Sequence, residues 1–199
     1  YIYFIAINSV TLSINSPVQI SANYTPSSGG ALDGVVFNNN LYIAWNGNDV
    51  GGAIRVTWID LNLVQRNTLV VSGYSASLIS LTSDGTYIFV SFYSGTTVST
   101  MVLTPTQLLT VLSPTAIATG VTVQNITASA INGTATVIFE IQNSYSYDGS
   151  ISSNYVESRT IAASGALGST ILLARSVGLA SQSFVVGSSV YVLTAYNSP

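Results

Sequence analysis

The sequence predicts an all-β protein. β-branched and aromatic residues dominate, and no long apolar stripe of helical period appears. Short apolar runs are instead joined again and again by Asn-, Asp- and Gly-rich turns.

Taken in order, Phe4 to Asn8 and Val18 to Ser21 read as a first pair of strands. Val35-Val36-Phe37 turns through Asn38-Asn39-Asn40 into Leu41 to Trp45, and Arg55 to Asn62 precedes Thr68 to Ser72. Leu78 to Leu81 turns through Ser83-Asp84-Gly85 into Tyr87 to Phe92, and Thr100 to Leu103 precedes Leu108 to Leu112. Ala128 to Ile131 turns through Asn132-Gly133 into Val137 to Phe139, and Tyr155 to Ile161 precedes Thr170 to Leu173. Ser183 to Val186 then turns through Gly187-Ser188 into Val190 to Leu193. Asn-Gly and Asp-Gly supply the positive φ angles of tight hairpins.

These turns recur at near-regular spacing, as in an internal repeat. The reading is a single domain, 1–199, with repeat units at 34–72, 76–113 and 122–175. Residues 1–22 supply the last two strands of a further unit and 180–197 its first two. Joined, the two ends complete a small four-bladed β-propeller. A β-sandwich with evenly spaced strands is the alternative.

Composition narrows the function. Among 199 residues there is no Lys, His or Cys, and four Arg with seven Asp and Glu are the only charged side chains. Ser-His-Asp, Cys-His and Schiff-base chemistry therefore cannot be built within this sequence, nor can imidazole or thiolate metal sites. Arg55, Arg66, Arg159 and Arg175 are scattered singly, without the basic cluster of a nucleic-acid-binding surface. No apolar run is long enough for a transmembrane helix. With so few ionisable groups, little dependence of stability on pH is expected. The sequence starts at Tyr1 instead of Met, which reads as processing or as part of something longer.

The expectation is a non-enzymatic protein with no cofactor, no catalytic residue and no metal ligand. Asp33, Asp84 and Asp148 each precede Gly and read as turn residues, and Asp60 closes a strand. Glu140 interrupts the apolar strand Val137 to Ile141, so partial burial and a raised pKa are expected. Glu140 and Glu157 could in principle flank a glycosidic bond, but no spacing supports that pairing. Glu157 and Arg159, two apart on a strand, read as a surface ion pair. Asn46-Gly47-Asn48-Asp49 is oxygen-rich but lacks the further acidic ligands of a calcium loop. Trp45, Trp58 and Tyr191 read as core residues, while Tyr145, Tyr147 and Tyr155 flank the long loop 143–154, the best candidate for a recognition element.

Sequons for N-glycans stand at Asn23, Asn125 and Asn132, no more than composition alone predicts, with Asn132 best placed at a hairpin tip. The most apolar strand is Tyr1, Ile2, Tyr3, Phe4, Ile5, Ala6 and Ile7, a candidate donor strand that pairs either within its own molecule or with the sheet of a neighbour.

This pattern of 30 Ser, 21 Thr, 15 Asn and 12 Tyr with hardly any charge resembles the extracellular, glycosylated filament proteins of heat- and acid-loving archaea, including thread-type filaments linked by donor strands. The resemblance implies a secreted, homopolymeric cell-surface protein with an adhesive or coating role, in which residues 1–7 are the donor segment. A weaker resemblance, to phage tail β-propellers, implies a viral tail or fibre domain. A secreted glycan-binding module is a further alternative.

Overall fold

A computed structural model of the protein describes residues 3–4, 16–19, 31–47, 52–60, 62, 64–142, 154–175 and 177–196. All regular structure among them is antiparallel β, with no helix.

Three sheets have four strands each, laid down in chain order. The first contains β3 (Leu32–Phe37), β4 (Asn40–Gly47), β5 (Ala53–Ile59) and β6 (Gln65–Ser72). The second contains β7 (Ala76–Ser83), β8 (Ile88–Ser94), β9 (Thr97–Leu103) and β10 (Thr110–Thr119). The third contains β11 (Val123–Ile131), β12 (Thr134–Ile141), β13 (Tyr155–Ala162) and β14 (Ile171–Arg175). Two hairpin-sized sheets flank them in sequence: β1 (Tyr3–Phe4) with β2 (Val18–Gln19), and β15 (Val177–Val186) with β16 (Ser189–Tyr196).

The turns have the chemistry their residues dictate. Asn38 and Asn39 both take positive φ (45° and 59°), as do Asn132 and Gly133 (49° and 76°). Positive φ at both central residues marks the primed turns whose twist matches a hairpin. Asp33 differs from the sequence expectation. It lies inside β3, not in a turn, because the whole segment 32–37 is extended and paired with β4. β10 runs well beyond Leu112, through Pro114. That proline is tolerated because β10 is an edge strand whose register shifts on both sides of it.

The sheets pack face to face through their first strands: β3 against β7, β7 against β11, and β11 against β15. Between the first and second sheets lie Tyr42, Ile54 and Val56 against Ile88, Phe92 and Met101. Between the second and third lie Phe89, Val98 and Val102 against Val137, Phe139 and Ile161. The second sheet is covered on both faces, so all but the last residue of β8 are buried. Burial at about 25 cal/mol per Å² of apolar surface makes these joints the main source of stability.

A polar seam repeats along the stack. The Leu81 N–H donates to Asp33 Oδ2 (2.6 Å), joining positions 48 apart. The Ala128 N–H donates to Ser80 Oγ (3.0 Å), again 48 apart. The Ser183 N–H donates to Thr127 Oγ1 (3.3 Å), 56 apart. One first-strand side chain of each sheet thus caps a backbone N–H of the next sheet's first strand. Such groups would otherwise be buried without partners, at a cost of about 1–3 kcal/mol each.

Candidate functional site

The feature that stands apart is the β15–β16 hairpin, which has two strands where the three sheets stacked before it have four. Gly187 (φ 61°) closes its turn, and strict alternation gives the hairpin two unlike faces. One face meets the third sheet. Ser183 Oγ bonds the hydroxyls of Thr127 and Ser129 (2.9 Å each), and Val190 and Val192 pack on Ile138 and Val156. Asn125 Nδ2 donates to the Ser181 carbonyl (2.8 Å) beside them.

The other face carries Gln182, Phe184 and Val186 on β15 with Tyr191 and Leu193 on β16. It is exposed, with Leu193 at 66% and Phe184 at 49%. Phe184 and Tyr191 stack on each other, with centroids 5.8 Å apart and planes inclined by 13°. Tyr191 is therefore a surface residue and not the core residue its strand context implies, because alternation places it opposite Phe184, away from the third sheet. Among the described residues β16 pairs with β15 alone, and no described strand lies on its second edge.

At the far end of the stack, Leu32 and Val36 of β3 are likewise exposed. Register puts them on one side with Trp45 and Leu41, away from the second sheet. On that side the exposed apolar residues of the edge strand are Leu32 and Val36, while Ile43, Trp45 and Ile59 are buried. Clustered apolar surface such as that on β15–β16 marks an interaction site.

Of the candidate donor strand, Tyr3 and Phe4 form β1 and pair with Gln19 and Val18. Tyr1, Ile2, Ile5, Ala6 and Ile7 lie outside the described residues, as do Asn23, Asn48, Asp49, Tyr145, Tyr147 and Asp148. Asn132 is exposed at its hairpin tip, whereas Asn125 is partly buried and its amide donates to the Ser181 carbonyl. Trp45 is buried and Trp58 partly buried, both in the first sheet. Tyr155 opens β13 and packs against the core between the second and third sheets.

The carboxylates separate by environment. Asp84 sits in the β7–β8 turn, where Oδ1 accepts from the N–H groups of Thr86 and Tyr87 (2.8 Å each), and Oδ2 accepts from Gly133 N–H of the third sheet. Asp60 accepts from Asn62 and Val64 N–H just after β5. Glu140 is fully buried, and desolvation pushes its pKa up against a smaller opposing effect of Asn154. Glu157 is also pushed up by burial.

Register places Glu140 opposite Val156 and Glu157 opposite Phe139, so the two carboxyls leave opposite faces of the sheet and cannot flank one bond. No ion pair joins Glu157 to Arg159. The guanidinium donates instead to the carbonyls of Ile117 (2.7 Å) and Gly168 (2.9 Å), clamping β13 to β10 and to the 163–170 segment. No group of three or more acidic residues able to hold a metal occurs among the described residues.

No protein-family model, no curated protein and no solved structure matches this sequence.

Proposed function

We propose that this is a structural, self-assembling extracellular protein, built as a four-bladed ring whose last blade is completed by strand exchange between copies. One observation carries the reading: β15–β16 is half a sheet with an apolar face and, among the described residues, no strand on its second edge, while β1–β2 stands as a separate pair. Two strands and two strands make the missing four.

The seam supports the ring. Asp33, Ser80 and Thr127 each cap the next sheet, and the residue in the equivalent place on β15 is Gln182. Its partner in a closed ring is the Gly34 N–H, which in the single chain turns back to Asp33 Oδ1 (2.8 Å). Phe184 and Leu193 would then cover Leu32 and Val36. Supply of the outer strands by residues 1–22 of a neighbour makes the contact heterologous, and such contacts propagate into fibres. A net charge of only −3 offers little repulsion between copies. Linkage of copies by a donor strand is what the resemblance to archaeal filaments implies.

Deletion of residues 1–7 is expected to turn fibres seen by negative stain into folded monomers by light scattering. Phe184→Asp with Leu193→Asp, at exposed positions that folding tolerates, is expected to raise the critical concentration roughly tenfold or more. A monomeric wild-type protein, or undiminished assembly of either variant, overturns the reading. If the deletion lowers Tm but leaves fibres intact, residues 1–7 close their own ring and strand exchange is excluded.

A further inference from the structure

The joint between the third sheet and β15 holds three buried oxygens without partners: Glu140 Oε2, Asn154 Oδ1 and Ser181 Oγ. Glu140 has no exposed surface, and its other oxygen, Oε1, accepts from Asn154 Nδ2 at 3.0 Å. So each of two facing groups makes one bond through one atom, and each leaves one oxygen bare. A carboxylate cannot repair this, since both bare atoms are acceptors. A carboxylic acid can: one proton on Oε2 makes it a donor to Asn154 Oδ1 and satisfies both atoms at once.

We propose that Glu140 and Asn154 form a proton-operated latch at this joint. With the proton bound from solvent, acid and amide close a two-bond pair. With the proton released to solvent, a bare charge is left between the sheets. No charged group among the described residues lies on this side of the joint. Asn125 and Thr127 of β11, Val156 of β13, Ala174 of β14 and Val192 of β16 line this side of the joint, with Ser181 of β15. None of these is titratable or charged. Glu157, Arg159 and Arg175 lie on the opposite face, by register with Phe139, Val137 and Tyr155. Among the described side chains, then, no cation faces Glu140.

Burial raises the Glu140 pKa, and the sign of the linkage follows. An acid whose folded pKa exceeds its unfolded value binds more protons when folded. Its stabilising contribution is fully present below the ordinary glutamate range and is lost as pH rises through the raised folded value. The latch therefore holds in acid and loosens towards neutrality. The latch would add, at this one buried position, a pH dependence that composition alone does not predict.

Thermal unfolding of the full chain between pH 3 and 8, together with infrared spectra, tests the latch. Glu140→Gln reproduces the protonated pair, because its amide both donates to Asn154 Oδ1 and accepts from Nδ2. Its Tm at pH 7.5 is expected to exceed the wild-type value by roughly 3 °C for each unit of pKa shift, with the difference vanishing by pH 3. The wild-type protein should keep a protonated-acid C=O band above the ordinary glutamate range, and Asn154→Leu should shift that band. A Glu140→Gln protein no more stable than wild type at pH 7.5 overturns the proposal. So does a wild-type acid band that disappears within the ordinary range, which remains readable even if the variant fails to fold. A wild-type Tm raised at pH 7.5 by calcium or sodium, but not in Glu140→Gln, would assign the bare oxygens to a cation and also overturn it.

Discussion

Asp84→Ala is expected to cost about 3 kcal/mol of folding stability, read as a lower midpoint in urea with an unchanged slope. The carboxylate accepts from Thr86 and Tyr87 N–H within its own turn and from Gly133 N–H on the neighbouring sheet. Bonds to a charged acceptor are worth roughly twice neutral ones, and alanine strands three donors at once. Because Gly133 follows Asn132 in a turn that needs positive φ, the loss also loosens the β11–β12 hairpin tip. Asp84→Asn retains one acceptor oxygen and is expected to lie between alanine and wild type. If Asp84 were only a local turn former, alanine would cost about 1 kcal/mol, as a lost cap does.

Phe139→Ala is expected to be the most damaging single truncation, at about 3–5 kcal/mol. Phe139 has no exposed surface and packs in the joint between the second and third sheets, in one cluster with Phe89, Val102 and Val137. Neighbours held in two hydrogen-bonded sheets cannot collapse into the space, so the cavity persists and its cost adds to the lost transfer energy. Phe184→Ala is the control. It removes the same ring from the exposed hairpin face and should change monomer stability by less than about 1 kcal/mol, while weakening assembly. Chemical denaturation of both variants separates folding from association.

How far the fold is legible in the sequence depends on the range of the interaction involved. Asn38-Asn39, Asp84-Gly85, Asn132-Gly133 and Gly187 mark four hairpins from their own backbone preferences, and the strands between them are visible as apolar runs. Pro114 hides the continuation of β10, because its compatibility with a strand depends on that strand lying at an edge. Asp33-Gly34 imitates a turn, because no local signal says that the Leu81 N–H will need a partner. Glu140 shows itself as a polar residue in an apolar strand, but the matching lack of partners at Asn154 Oδ1 and Ser181 Oγ arises only where β12, β13 and β15 meet.

Turn chemistry and apolar alternation, each acting over a few residues, sufficed for the all-β class and for most strand positions. The same holds for the absence of imidazole, thiol and amine chemistry, a property of composition alone. Which sheet faces which, why Tyr191 lies outside and Trp45 inside, and why Glu140 and Glu157 part company were decided by tertiary packing. The physical reason is that a strand specifies two faces without specifying what will cover either. Only the neighbouring sheet decides which face is dry, which carboxyl is desolvated and which edge stays open.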